Sequence, residues 1–97
     1  MTESQKHDDG KDPWHLLPLG PIRSIVQVLC MGAKKYAPNA WQELPDARDR
    51  YYSACMRHLE AWRRHDYTDQ ESGLPHLAHA LCCLVFLLWF EQEGKNP

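Results

Sequence analysis

Ninety-seven residues suffice for one small domain with a thin core. Thirteen acids against 11 bases give a net charge of −2, so no broad basic surface for duplex nucleic acid is expected. Hydrophobic residues at 43% and charged residues at 25% make an ordinary globular mixture. The most apolar run, Leu77 to Phe90, is interrupted by His79 and is shorter than the roughly 20 residues a membrane helix needs.

Residues 1–12 are polar, lack the apolar stretch of a signal peptide and are expected to form a disordered tail. A single all-α domain is expected over residues 13–97. Trp14, Leu16 and Leu17, between Pro13 and Pro18, are apolar enough to dock on its core. The first helix is predicted from about Gly20 to Tyr36, with Pro21 in the first turn, where its missing N–H costs nothing. Ile22, Ile25, Val26, Leu29 and Cys30 recur at three- and four-residue spacing and define an apolar face. Ala37-Pro38-Asn39 ends it, and a loop carries Trp41. Asp46 is the expected N-cap of the second helix, with Asp49 completing a capping-box pattern.

That helix is predicted from about Ala47 to Arg64, with a stripe of Tyr51, Cys55, Leu59 and Trp62 and flanking arginines. An acidic connector leads to a third helix from Leu74-Pro75 to about Gln92, closed by Gly94. Its centre, LCCLVFLLWF, is apolar on every side, and two partner helices cannot cover it. The fold class is therefore all-α, a small bundle of three main helices completed by homo-oligomerisation. Four cysteines occur without a CxxC pair, which argues against a zinc knuckle and for reduced thiols in a cytoplasmic setting.

The polar residues around the third helix carry the chemistry. His76 and His79 are three apart and share a helix face, and Asp69 and Glu71 lie just upstream. If the second and third helices pack antiparallel, His58 joins them. Asp69, Glu71, His76 and His79 are then candidate ligands for a divalent cation. Carboxylates suit magnesium or manganese, and imidazole shifts the preference toward manganese or a heavier metal. Each histidine taken alone reads more simply as a helix cap or a partner for a buried carbonyl, and Cys83 as core; it is the four residues together that point to a shared site.

Lys34, Lys35 and Tyr36, followed by Trp41, form a second candidate constellation: two point charges for phosphate and rings for a base. Lysines at a helix C-terminus also need no ligand, whereas Trp41, stranded in a loop, is harder to explain without one, with a hydrophobic plug as the alternative. Arg57 is placed to reach an anionic ligand or solvent.

Three stretches taken together, GAKKYAPNAW (32–41), YYSACMRHLEAW (51–62) and DQESGLPHLAHALCCLVFLL (69–88), resemble the N-terminal domain of the phage-associated dATP/dGTP diphosphohydrolase family. That family is grouped with the all-α, MazG-like nucleotide pyrophosphohydrolases. The resemblance spans roughly residues 14–93. It implies an oligomeric helical bundle acting on purine deoxynucleoside triphosphates with Mg2+ or Mn2+, releasing pyrophosphate and a monophosphate. It places Asp69, Glu71, His76 and His79 near metal and phosphates, and His58 matches its RHL motif; in such an enzyme Glu71 would ligate metal or position the water, and His58 and His79 would be ligands or acid–base groups. Lys34 and Lys35 match the GAKKY motif.

The ExxE and ExxD glutamate patterns of MazG-like enzymes are missing from this chain, and a site poor in carboxylates holds magnesium less well. Two functions follow: a metal-dependent triphosphate pyrophosphohydrolase, or a non-catalytic oligomer that binds or sequesters nucleotides. A purely structural partner protein would leave the acid–histidine cluster idle.

Overall fold

The computed structural model describes residues 8–95. Three helices of 17 residues each dominate: α1 (Leu19–Lys35), α2 (Ala47–Arg63) and α3 (His76–Gln92). Short 3-10 turns occupy Trp14–Leu16 and Ala40–Glu43. Among the described residues there is no strand, only an isolated bridge between Thr68 and Pro75. The all-α reading of the sequence holds. No described helix is long and apolar enough to cross a membrane.

The helix boundaries have local causes. Pro21 lies in the first turn of α1, as its sequence position required. Lys34 and Lys35 occupy the last turn, where cations oppose the helix dipole. Asp46 stands directly before α2, but in a left-handed conformation (φ 55) and with no capping bond from its side chain. An N-cap carboxylate reaches the first-turn N–H groups from an extended backbone, so the expected capping box does not form.

α2 and α3 end alike. Lys95 N–H bonds Phe90 C=O and Gly94 N–H bonds Glu91 C=O around a left-handed Gly94 (φ 69), a Schellman closure. Asp66 and His65 make the same pair of bonds to Ala61 and Trp62, with His65 itself left-handed (φ 68) where glycine is usual. This closure turns the chain sharply into the connector that carries Asp69.

α3 lies between α1 and α2 and packs on both. Against α1 it forms a cluster of Ile25, Val28, Ala78 and Cys82, flanked by Ile22, Leu29, Leu74 and Phe86. Against α2 the cluster is Cys55, Ala80 and Cys83, flanked by Tyr51, Ala54 and Leu59. Small residues at these contacts let the helices approach closely. Burial pushes the Cys82 and Cys83 thiols up to about 12 and about 11, which marks both as inert core residues.

Several apolar side chains stay outside this core. In α1, Val28 is buried while Val26 and Cys30 face outward, so the packed face is rotated from the expected one toward 22, 25, 28 and 29. Trp14 and Leu16 are 75% and 71% exposed and do not dock on the core. Their 3-10 turn runs between two prolines straight into α1, which leaves no room for the segment to fold back. Trp62 at the end of the α2 stripe is also exposed. On α3, Leu77, Leu81, Leu84 and Leu88 are exposed at 4-3-4 spacing, with Val85 beside them. The excess apolar surface expected of this helix is therefore concentrated on one stripe. Of the expected tail, residues 1–7 lie outside the described residues. Residues 8–12 form an exposed turn closed by Lys11 N–H to Asp8 C=O.

Candidate metal and nucleotide site

α2 and α3 run antiparallel. His58 meets His76 and His79, Cys55 meets Ala80 and Cys83, and Tyr51 meets Phe86. This order brings the last turns of α2 beside the first turns of α3. The site is built where the connector between them folds over both.

The connector is held by its own backbone. His76 N–H bonds Tyr67 C=O, Asp69 N–H bonds Leu74 C=O and Gly73 N–H bonds Asp69 C=O at 2.8–2.9 Å. Gly73 supplies the left-handed conformation (φ 73) that this tight return requires. Within the turn, the Asp69 carboxylate accepts from the Ser72 N–H at 2.9 Å and the Ser72 hydroxyl at 2.8 Å, both at Oδ2. The same hydroxyl lies 2.7 Å from His79 Nε2 and accepts from Leu74 N–H at 3.1 Å.

Three imidazoles crowd together above this turn. The Nδ1 atoms of His58 and His76 are 2.8 Å apart, so one ring donates and the other accepts. The His58 and His79 rings stack at 4.6 Å and 11°. His79 Nε2 is 3.7 Å from Asp69 Oδ2, and His76 Nε2 is 3.6 Å from Asp66 Oδ2. One donor atom each from His58, Asp69 and His76 lies within 4.8 Å of the others. Among the described residues this is the only His, Cys, Asp and Glu group so convergent.

Electrostatics favour the forms that ligation needs. Burial first, and then the neighbouring His79 and His76, lower the His58 pKa below the ordinary imidazole value. His79 is lowered too, chiefly by burial, against the pull of Asp69. Burial pushes the Asp69 carboxyl up, but the two Ser72 hydrogen bonds and the adjacent imidazoles outweigh it, so its pKa falls below the usual value. At neutral pH the cluster therefore offers neutral His58 and His79 lone pairs and an ionised Asp69 carboxylate.

The structure thus gathers His58, Asp69, His76 and His79. Glu71 departs from the expected ligand set: it is exposed and ion-paired with Lys35, which drives the Lys35 pKa up. The pair joins the end of α1 to the connector, because Glu71 extends from the outer side of the turn that aims Asp69 inward. Lys34, Tyr36 and Arg57 are exposed, with the Lys35 ammonium 5.3 Å from the Tyr36 ring centre. Arg57 is close enough to lower the His58 pKa.

Trp41 is the plug that the sequence also allowed. Its ring stacks on Phe86 at 4.3 Å and meets Trp89 and Phe90 edge-on. Phe86 stands two helical turns beyond His79, about 10 Å along α3. The Trp41 ring is thus committed to the aromatic cluster rather than to the acid–histidine turn. Two surface grooves contain none of the four clustered residues, one beside Tyr52, Leu87 and Phe90 and the other beside Leu59, Leu77 and Leu81.

Two residues of the site escaped sequence reasoning. Ser72 stands three after Asp69, a spacing at which a serine closes an aspartate turn. Asp66 reaches His76 only through the His65 closure, which carries no glycine to announce it.

Compared with known proteins, residues 1–97 match the family described as dATP/dGTP diphosphohydrolase, N-terminal. A dATP/dGTP diphosphohydrolase of Salmonella phage PMBT28 is 34% identical over 84 residues, covering 87% of this chain and 28% of the relative. The chain thus spans under a third of the curated relative it matches. No solved structure matches.

Proposed function

The chain belongs to the dATP/dGTP diphosphohydrolase N-terminal family, and on that premise we propose that it hydrolyses purine deoxynucleoside triphosphates to monophosphate and pyrophosphate with a divalent cation. The observation carrying this reading is the convergence of His58, Asp69 and His76. Imidazole and carboxylate in one group are the donor types of a divalent metal site, so the residues present fit such an ion. A bound cation supplies positive charge for the phosphate oxygens and lowers the pKa of a bound water.

The chain's own residues do the rest. His58, Asp69 and His76 hold the cation. His79, neutral and donating its Nε2–H to the Ser72 hydroxyl, takes the proton from the attacking water at Nδ1, and the water adds to the α-phosphorus as pyrophosphate leaves. Lys34, Lys35 and Arg57 attract the triphosphate, and Glu71 serves as the counter-ion of Lys35 until phosphate replaces it. Incubation with a deoxynucleotide panel and Mn2+ or Mg2+, resolved by anion-exchange chromatography, tests this. Monophosphate from dATP and dGTP, lost in His79→Ala, is the expected result. Nucleotide left intact with both metals refutes it.

One observation favours a second reading. More than two thirds of the phage relative lies outside the match, so the activity in its name belongs to a much longer protein. On this reading the domain binds or sequesters the nucleotide without cleaving it. Calorimetric binding with the nucleotide recovered intact identifies that case.

We further propose that a second copy of the chain covers the α3 stripe. The exposed leucines at 77, 81, 84 and 88 follow the spacing of a helix–helix seam, and the groove beside them is lined by Pro21, Leu59 and Leu77. The setting that goes with this function is the cytoplasm, that of a bacterial host cell if the chain is phage-encoded as its relative is.

A further inference from the structure

We propose that the cation held by His58, Asp69 and His76 is a first-row transition-metal ion rather than magnesium, bound through the two Nδ1 atoms and backed by Asp66. This rests on the metal-dependent reading above and sharpens it.

The donor set is the first argument. Magnesium demands near-octahedral oxygen coordination and sheds water reluctantly. The triad offers one carboxylate and two imidazoles. Nitrogen donors favour manganese, iron, cobalt, nickel and zinc over magnesium.

The second argument is the disposition of the rings. The two imidazoles meet at the same atom, Nδ1, 2.8 Å apart, and one donor atom of each lies within 4.8 Å of an Asp69 oxygen. Two nitrogens each about 2.1 Å from one ion stand about 3.0 Å apart at 90° and about 3.4 Å apart at the tetrahedral angle. An ion would replace the proton of this hydrogen bond and part the two nitrogens by only about 0.2–0.6 Å.

The third argument is what stands behind His76. Its Nδ1 faces the cluster and its Nε2 faces the Asp66 carboxylate at 3.6 Å. Metal-bound histidines almost always give their second ring N–H to a carboxylate, carbonyl or water, which fixes the tautomer and raises ligand basicity. At 3.6 Å the Asp66 carboxylate stands just beyond hydrogen-bond reach of that N–H, a gap that a small ring movement on ligation closes, whereas Asp69 is already held by Ser72 through two hydrogen bonds to one oxygen. The most buried ring thus has a carboxylate beside its second nitrogen, and the carboxylate of the triad is clamped by hydrogen bonds. A hydrogen bond between two idle histidines explains the 2.8 Å contact but requires neither Asp66 nor the Ser72 clamp.

The test uses the full chain, stripped with chelator and free of nucleotide. Titration with CoCl2, MnCl2, ZnCl2 and MgCl2 is followed by calorimetry, and Co2+ additionally by its visible absorption. One equivalent of Co2+ is expected, with Mg2+ at least about 100-fold weaker. Asp66→Asn is expected to weaken Co2+ binding about 10–100-fold while leaving the circular-dichroism spectrum unchanged. Because His58→Ala and His76→Ala remove core contacts, the wild-type protein provides an independent readout. In nitrogen-detected imidazole spectra, Zn2+ should shift Nδ1 of His58 and His76 and leave exposed His15 unmoved. Mg2+ binding as tight as Co2+, or imidazole shifts that bypass His58 and His76, overturns the inference. Hydrolysis that fails while Co2+ still binds refutes the proposed activity and leaves this site standing. Hydrolysis supported by Mg2+ with no transition-metal binding does the reverse.

Discussion

Replacing Ser72 by alanine removes one hydroxyl with three contacts. It donates to the Asp69 carboxylate at 2.8 Å, meets His79 Nε2 at 2.7 Å and accepts the Leu74 N–H at 3.1 Å. A hydrogen bond to a charged group contributes about 1.5–3 kcal/mol and a neutral one about 0.5–1.5 kcal/mol. The pair is only half-buried, and the Ser72 N–H stays on Asp69, so water recovers part of the loss. The net cost should be about 1.5–2 kcal/mol. At roughly 4–8 °C per kcal/mol for a domain of this size, the melting temperature should fall by about 10 °C. The Asp69 carboxyl, relieved of one hydrogen bond that holds its pKa down, should titrate at higher pH. Thermal melts and carboxyl-detected NMR titration measure both. A melting temperature within about 2 °C of wild type, together with unchanged Asp69 titration, would refute the idea that Ser72 organises the turn.

Three further outcomes are expected. Leu84→Glu places a charge in the exposed α3 stripe, where Leu84 is 51% exposed, and should convert a wild-type dimer to a folded monomer by light scattering; a wild type already monomeric at high concentration contradicts the covered-stripe reading. His65→Gly relieves a left-handed non-glycine residue and should raise stability by about 1 kcal/mol, seen as a higher melting temperature, whereas a lower one means that the His65–Tyr67 contact at 2.8 Å outweighs the strain. Stability should also fall with acid. The folded pKa values of His58 and His79 lie below the unfolded value of about 6.5, so the unfolded chain takes up protons first as pH drops, and stability declines below that point. Asp69, also lowered, adds a further loss once the pH enters the carboxylate range. Melts at about pH 5 and pH 7.5 decide this, and equal midpoints contradict it.

Much of the site was legible because it follows helical periodicity. His76 and His79, three apart, had to share a face, and antiparallel packing of α2 on α3 brought His58 to them. The connector was less legible. Its carboxylates alternate in sequence at 69 and 71, and only the Ser72 and Gly73 turn decides that Asp69 points inward while Glu71 meets Lys35. Asp66 enters through a left-handed histidine, a backbone choice that residue identity does not announce. Trp41 was ambiguous for a different reason: a tryptophan in a loop can stack on a base or on the core, and the run Phe86, Trp89 and Phe90 on α3 offered it the core. The same helix also explains the thin interior. With alanines and cysteines at its packed contacts and leucines outside, α3 buries less apolar surface than its composition suggests.

The most direct test of a metal centre at the α2–α3 junction is an anomalous-difference map from crystals of the full chain grown with Co2+. The account predicts one strong peak within about 2.0–2.2 Å of the His58 and His76 Nδ1 atoms and an Asp69 carboxylate oxygen. A map with no peak there, or with cobalt bound only at exposed histidines such as His65, would contradict it.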